Sequence, residues 1–314
     1  SGVTRFFRIA KKRIIGLFGD KDQEDTRSHR HRPPPVQDIE PIVPMTIGAV
    51  PTFKEEPKPV DNSMVTAIDQ IISNAEPVSS KTYDHSTTTK NDTIIAVVDN
   101  KVIPGVETLG DQFGHAAKLS NPTGVNAFMK RIADVIDQRG HSIKDLLRFM
   151  EKSDLPIADD GSIIAYKVLQ TSFDQKGFVD CHTKNVPQKV GSFVCMDPSM
   201  VDPNRRNECS NGLHIARRGY LRNFGGDIIV MCKIAPEDVI AVPEYDHNKV
   251  RVCGYHIIGT IPKSDHSNLR YDKPFINEES KKLLDMAMRG KHIGILEEVR
   301  IGGQNGTNIT ITQI

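Results

Sequence analysis

Tryptophan is absent from this 314-residue chain, and all aromatic residues together make up only 6% of it. That scarcity argues against a protein that grips single-stranded nucleic acid by stacking bases on rings. Surplus charge is missing too: 41 Lys+Arg against 40 Asp+Glu leave a net +1. Such a balance excludes a broadly basic nucleic-acid binder and an acidic tail protein, so no nucleic-acid partner is expected. No apolar run reaches the roughly 18 residues of a spanning helix. The basic N-terminus has a charge-interrupted apolar core and no small-residue cleavage site, so it reads as no secretory signal. The phosphate loop, the dinucleotide fingerprint, His-Glu-x-x-His and the serine-hydrolase elbow are all lacking. The five cysteines are an odd number without a Cys-x-x-Cys pair. A disulfide framework is therefore not expected, and a reducing compartment is.

What is present is unevenly distributed. In residues 1–21, Val3, Phe6, Phe7, Ala10, Ile14, Leu17 and Phe18 follow helical spacing, while Arg5, Arg8, Lys11, Lys12 and Arg13 cover the rest. This predicts a basic amphipathic helix suited to an anionic membrane surface or to a groove on a partner protein. Packing on its own domain is the plainer alternative. Residues 22–62 carry Pro33-Pro-Pro35 and prolines at 41, 44, 51, 57 and 59, the composition of a semi-rigid spacer.

Residues 63–154 predict a short helix (Val65, Ile68, Ile71, Ile72), then a hairpin over 92–103 turning at Asp99-Asn100. Two helices follow, 122–139 stopped by Gly140 and a second capped by Ser142, paired antiparallel. From Leu155 the period changes. Strands are expected at 163–167, 189–196, 227–234 and 250–258, with a short helix over 215–223. The run Asp227-Ile-Ile-Val-Met-Cys-Lys-Ile234 reads as a strand buried on both faces. Residues 155–262 thus form the core unit. Residues 263–314 add a helix over 277–289 and a C-terminal strand, which either returns to its own sheet or joins another subunit's edge. The fold class is α+β: a helix pair, then a mixed or antiparallel sheet, with an extended N-terminal arm and a C-terminal strand tail.

By residue type, Cys181, His182, Cys209, His214 and Cys253 are candidate metal ligands. Their spacing departs from paired zinc ligands, and no metal or other cofactor is expected. Cys209 with His214, beside Asn211-Gly212 and several arginines, is also a candidate nucleophile pair. The plainer reading has Gly212 supplying a positive-φ turn and His214 a buried hydrogen bond.

Several separated motifs in this unit carry a resemblance. They are Asp159-Asp-Gly161 with Ala165-Tyr-Lys167, Asp180-Cys-His182, and Cys209-Ser-Asn-Gly-Leu-His214 followed by Tyr220 and Phe224-Gly225. Pro236-Glu-Asp-Val239, Val242-Pro243, and Arg251-Val-Cys253 with Tyr255 complete them. In this order they resemble the RIIB family of tailed phages. The resemblance implies a phage protein acting with an RIIA-like partner, near the inner face of the host membrane, on lysis timing and exclusion of other phages. It implies no reaction, so a non-enzymatic protein is expected. Asp180, Cys181, His182, Cys209, Gly212, His214, Arg251, Cys253 and Tyr255 are the family-motif core. A second expectation is a virion subunit whose two terminal arms dock on neighbouring subunits, with a homo-oligomer in either case. A Cys209–His214 enzyme is the third.

Overall fold

The computed structural model describes residues 4–18, 62–73, 75–78, 89–118, 123–153, 155–244, 246–303 and 307–314. The proline-rich spacer expected over 22–62 lies outside them, apart from its last residue. The first sheet has four strands: β1 (Arg5–Ala10), β2 (Glu76–Val78), β3 (Asp92–Val98) and β4 (Lys101–Ile103), in the order β2-β1-β3-β4. Two helices belong to this part, α1 (Lys11–Phe18) and α2 (Asn62–Ser73). The hairpin β3–β4 turns at Asp99 and Asn100, both at positive φ, as the sequence predicts.

Arg5–Ala10 is a strand, which corrects the expected helix over 1–21. It pairs antiparallel with both β2 and β3. Phe6 faces one way, edge-on to Phe113 in the main core. Phe7 and Ile9 face the other, against Ile68, Ile95 and Val97. A strand buried on both faces and a helix with one apolar stripe look alike over six residues; the two neighbouring strands decide between them. Phe6 and Phe7, which a membrane helix would turn to the lipid, are thus spent inside the protein. Arg5, Lys11, Lys12 and Arg13 remain exposed, Arg8 pairs with Glu76 at 3.1 Å, and Ile14 is buried. Leu17 and Phe18 end α1.

A 3-10 turn (Val106–Leu109) and α3 (Gly110–Lys118) lead into α4 (Thr123–Ser153). This single helix of 31 residues replaces the expected helix pair. Glycine within a helix costs only about 1 kcal/mol. Here the apolar stripe runs on without a phase break, from Val125, Phe128, Met129 and Ile132 to Ile143, Leu146, Leu147 and Met150, all buried. Burying a continuous stripe outweighs that local cost.

The larger sheet has 11 strands. They are β5 (Ile163–Thr171), β6 (Phe178–Asp180), β7 (Pro187–Gln188), β8 (Ser192–Met196), β9 (Leu213–Ala216) and β10 (Ile228–Ile234). The others are β11 (Val239–Ala241), β12 (Lys249–Val252), β13 (Gly254–Thr260), β14 (Glu297–Gly302) and β15 (Asn308–Gln313). The order is β11-β12-β9-β5-β10-β13-β8-β14-β15, with β6 and β7 branching from β5. All pairs are antiparallel except β14 with β8. The fold class is α+β, as expected.

Two local differences stand out. The helix expected over 215–223 is a strand, β9, followed by a 3-10 turn at Arg218–Asn223. The strand expected over 250–258 is two, because at Cys253 the chain changes neighbours. Its N–H donates to Asp238 O while its carbonyl accepts from Met196 N. The C-terminal strand returns to its own chain through β14, one of the two placements expected, rather than to another subunit's edge. Helices α5 (His266–Arg270) and α6 (Glu278–Met288) complete the fold; Asn277 caps α6 by accepting from Glu279 N, and Gly290 follows at φ +69°.

Candidate functional site

The motif residues do not meet at one point; they build two groups on the large sheet. The first surrounds the loop between β8 and β9. Arg251 of β12 is fully buried, and its guanidinium donates to Asp202 O (2.9 Å), Asn207 O (2.6 Å) and Asn204 O (2.6 Å). The Asp202 carboxylate accepts from Asn207 Nδ2 and Asn204 N, and hydrogen bonds from Asn207, Ser210 and Asn204 pull its pKa down to about 2. From the other side, Arg205 donates to Asp145 of α4 at 2.9 Å. Gly212 closes the loop at φ +149°, where a Cβ would sit 2.9 Å from Val201 Cγ1. These residues hold the loop in place.

The loop presents Cys209 to solvent, with Lys249 Nζ at 3.1 Å from its Sγ. His214 is not its partner: no hydrogen bond among the described residues joins the two. The His214 carbonyl instead accepts from Lys167 Nζ at 2.9 Å. Burial, then the charges of Lys167, Lys249 and Arg251, push the His214 ring down to about 4, so it is neutral at pH 7. Its Nε2 is buried with no hydrogen bond among the described residues. A thiol beside an ammonium, without a base aimed at it, is not a nucleophile–base pair.

Behind the loop, Lys167 lies 5.2 Å from the Tyr255 ring centre, and burial lowers its pKa against the pull of Cys232, Cys181 and Asp180. Tyr255 is buried and donates to Gln188 Oε1. Burial also pushes the Cys232 thiol up to about 12 and raises that of Cys181, whose Sγ donates to Val168 O. A raised thiol pKa leaves less thiolate, the reactive form, at neutral pH. Asp180 ends β6, and Cys181 and His182 follow it in a turn. Burial acts to raise the Asp180 pKa, but bonds from the N–H groups of Thr183, Asn185 and Val186 outweigh it and hold the carboxyl low. His182 is exposed and Cys253 buried in the core. Among the described residues no three His, Cys, Asp or Glu side chains converge as metal ligands would.

The second group was missed by sequence reasoning. Lys233 of β10 is buried, 2.9 Å from Asp160 Oδ2 and 3.1 Å from His292 Nε2. Arg131 of α4 donates twice to Glu237 and also to Asp160 O and Ser162 Oγ. His256 packs edge-on to His292 at 5.6 Å, and burial drives its pKa down to about 4. One signal was available: Lys233 is the single charge in the apolar strand Ile228–Ile234. A buried lysine needs a partner.

A family model described as "Bacteriophage T4 protein rIIB" matches residues 123–268. Over this stretch the chain is RIIB-like. "Protein rIIB" of Enterobacteria phage T4 is 30% identical over 120 residues, 37% of this chain and 37% of that protein. The chain therefore aligns with little more than a third of that relative's length. No solved structure matches it. The RIIB-like stretch takes in α4, the clamped loop and most of the second group. The four-stranded sheet, His292, β14 and β15 lie outside it.

Proposed function

We propose that this is a phage protein of RIIB type that works through protein contacts, in lysis timing or exclusion, and performs no reaction. The observation that carries this reading is where the motif's charges go. Arg251 is spent on three backbone carbonyls, Asp180 on three backbone amides and Lys167 on the His214 carbonyl. Groups so engaged shape a surface and are poorly placed to bind or transform a substrate. An RIIA-like phage protein is the natural partner, at the host cytoplasm or the inner-membrane periphery. No helix among the described residues is long and apolar enough to cross a membrane.

The test is a phage carrying a tagged copy. Co-purification of an RIIA-like protein from infected cells, with altered lysis timing on deletion, supports the proposal. Stoichiometric copies in purified particles would replace it with the virion-subunit reading. Loss of lysis control in a Cys209→Ser phage whose protein still folds and keeps its partner would overturn the non-enzymatic role.

A further inference from the structure

The two edges of the large sheet are treated differently. At one, β11 is three residues long, wholly buried and packed against α4. At the other, β15 pairs with β14 alone, and among the described residues no strand covers its outer side. Natural edges are usually blunted by charge, proline or a bulge. Asn308-Ile-Thr-Ile-Thr-Gln313 has none of these, and four of its six residues are β-branched. Its register with β14 is unbroken from Glu297↔Gln313 to Gly302↔Asn308.

The ladder shows which backbone groups face outward. Ile314 N–H donates to Leu296 O, so the even-numbered residues of the strand bond to β14. In an antiparallel ladder the odd-numbered ones, Ile309, Ile311 and Gln313, then turn their N–H and C=O groups away from the sheet. Their side chains share a face with Val299 and Ile301, which are buried, while Ile311 is 46% exposed. An apolar stripe thus crosses β14 and stops in solvent at β15. Three of the large apolar side chains that stand exposed among the described residues belong to this edge: Ile311, Ile314, and Leu296, whose carbonyl accepts from Ile314 N–H.

We propose that this edge is a homodimer interface, with β15 of two copies pairing antiparallel about a two-fold axis beside Thr310. The strand complements itself in that register. Ile309 lies opposite Ile311 of the second copy, Ile311 opposite its Ile309, Thr310 opposite its Thr310, and Asn308 opposite its Thr312. Apolar meets apolar on one face and hydroxyl meets hydroxyl or amide on the other, the pairings that stabilise antiparallel strands. The outward N–H and C=O groups of Ile309 and Ile311 bond to those of Ile311 and Ile309 across the axis. A strand without charge offers nothing to select a charged partner, whereas its own sequence matches on both faces. The charges of β14 opposite it are already engaged: Arg300 and Glu298 pair with each other at 3.0 Å, and buried Glu297 accepts from Ser192 and Gln313. The inference does not depend on the RIIB-type role.

Sedimentation velocity of the full chain tests it. The expected result is a dimer that grows with concentration. Thr310→Lys and Thr310→Glu, each placing like charges across the axis, should sediment as monomers, with unfolding curves that match the wild type's at concentrations too low for it to dimerise. An equimolar mixture of the two should recover the dimer. As a second variant, Ile311→Pro removes an outward donor while leaving the β14 ladder intact, and should also be monomeric. A wild-type monomer at every concentration, a dimer that survives these changes, or no recovery on mixing would overturn the proposal.

Discussion

The Arg131 guanidinium meets the Glu237 carboxylate at two points, Nε to Oε2 at 2.8 Å and Nη2 to Oε1 at 2.7 Å. The pair ties the long helix α4 to the turn after β10, and Arg131 Nη1 reaches on to Ser162 Oγ at the start of β5. Replacing Arg131 with Met should therefore cost about 2 kcal/mol, the range for charge-assisted bonds. Lysine should recover only part of this, because it cannot form the two-point geometry. Urea denaturation of the three proteins measures both effects. Equal stability of wild type and Arg131→Met would show that the pair is ornamental.

Gly161 comes close to the same helix. It holds φ +83°, and a Cβ there would lie 2.6 Å from the Phe128 backbone nitrogen. Gly161→Ala should lower stability by about 1–3 kcal/mol through strain and displacement of α4. A thermal melt within error of wild type would contradict the close approach.

Arg251→Met should be the most damaging of these changes. It strands the carbonyls of Asp202, Asn204 and Asn207, and an unsatisfied buried polar group costs about 1–3 kcal/mol. Limited proteolysis should then cut within residues 202–210 at protein concentrations where the wild type is resistant.

Thiol reactivity should separate the cysteines. Cys209 is exposed and should react first with a chromogenic disulfide at neutral pH, while Cys232, fully buried and with a raised pKa, should react only after unfolding. Peptide mapping after partial labelling identifies the order, and early modification of Cys232 would refute it.

Acid should destabilise the protein through His256. Its folded pKa of about 4 lies below the ordinary 6.5 because burial disfavours the cation. Between these values the unfolded chain binds the proton and the folded one does not, so stability is fully present above about pH 6.5. It falls as the pH drops towards 4, by at most about 1.4 kcal/mol per pH unit for this ring. Urea melts from pH 7 to 4 should show this slope, and His256→Leu should reduce it, leaving the part that His214, held equally low, contributes.

Local chemistry was legible wherever a short stretch decided its own conformation. The Asp99-Asn100 turn, the Asn277 cap with Gly290 behind α6, and the apolar strand at 228–234 were all readable, since turn type, capping and burial on both faces depend on a few adjacent residues. The motif residues were also recognisable, but their roles were not. Nothing in the spacing of Arg251 from residues 202–207 reveals three carbonyls around one guanidinium.

By itself the sequence determined the α+β class, a strand buried on both faces at 228–234, the hairpin, and the lack of an apolar run long enough to span a membrane. Tertiary structure alone decided that Phe6 and Phe7 face opposite sides of a strand, that α4 runs unbroken through Gly140, and that the chain changes sheet neighbours at Cys253. It also decided that Lys233 meets Asp160 across 73 residues of chain. The physical reason is the same in each case. A residue's intrinsic preferences differ by about 1 kcal/mol or less, and the neighbours that burial brings together from distant parts of the chain supply more than that.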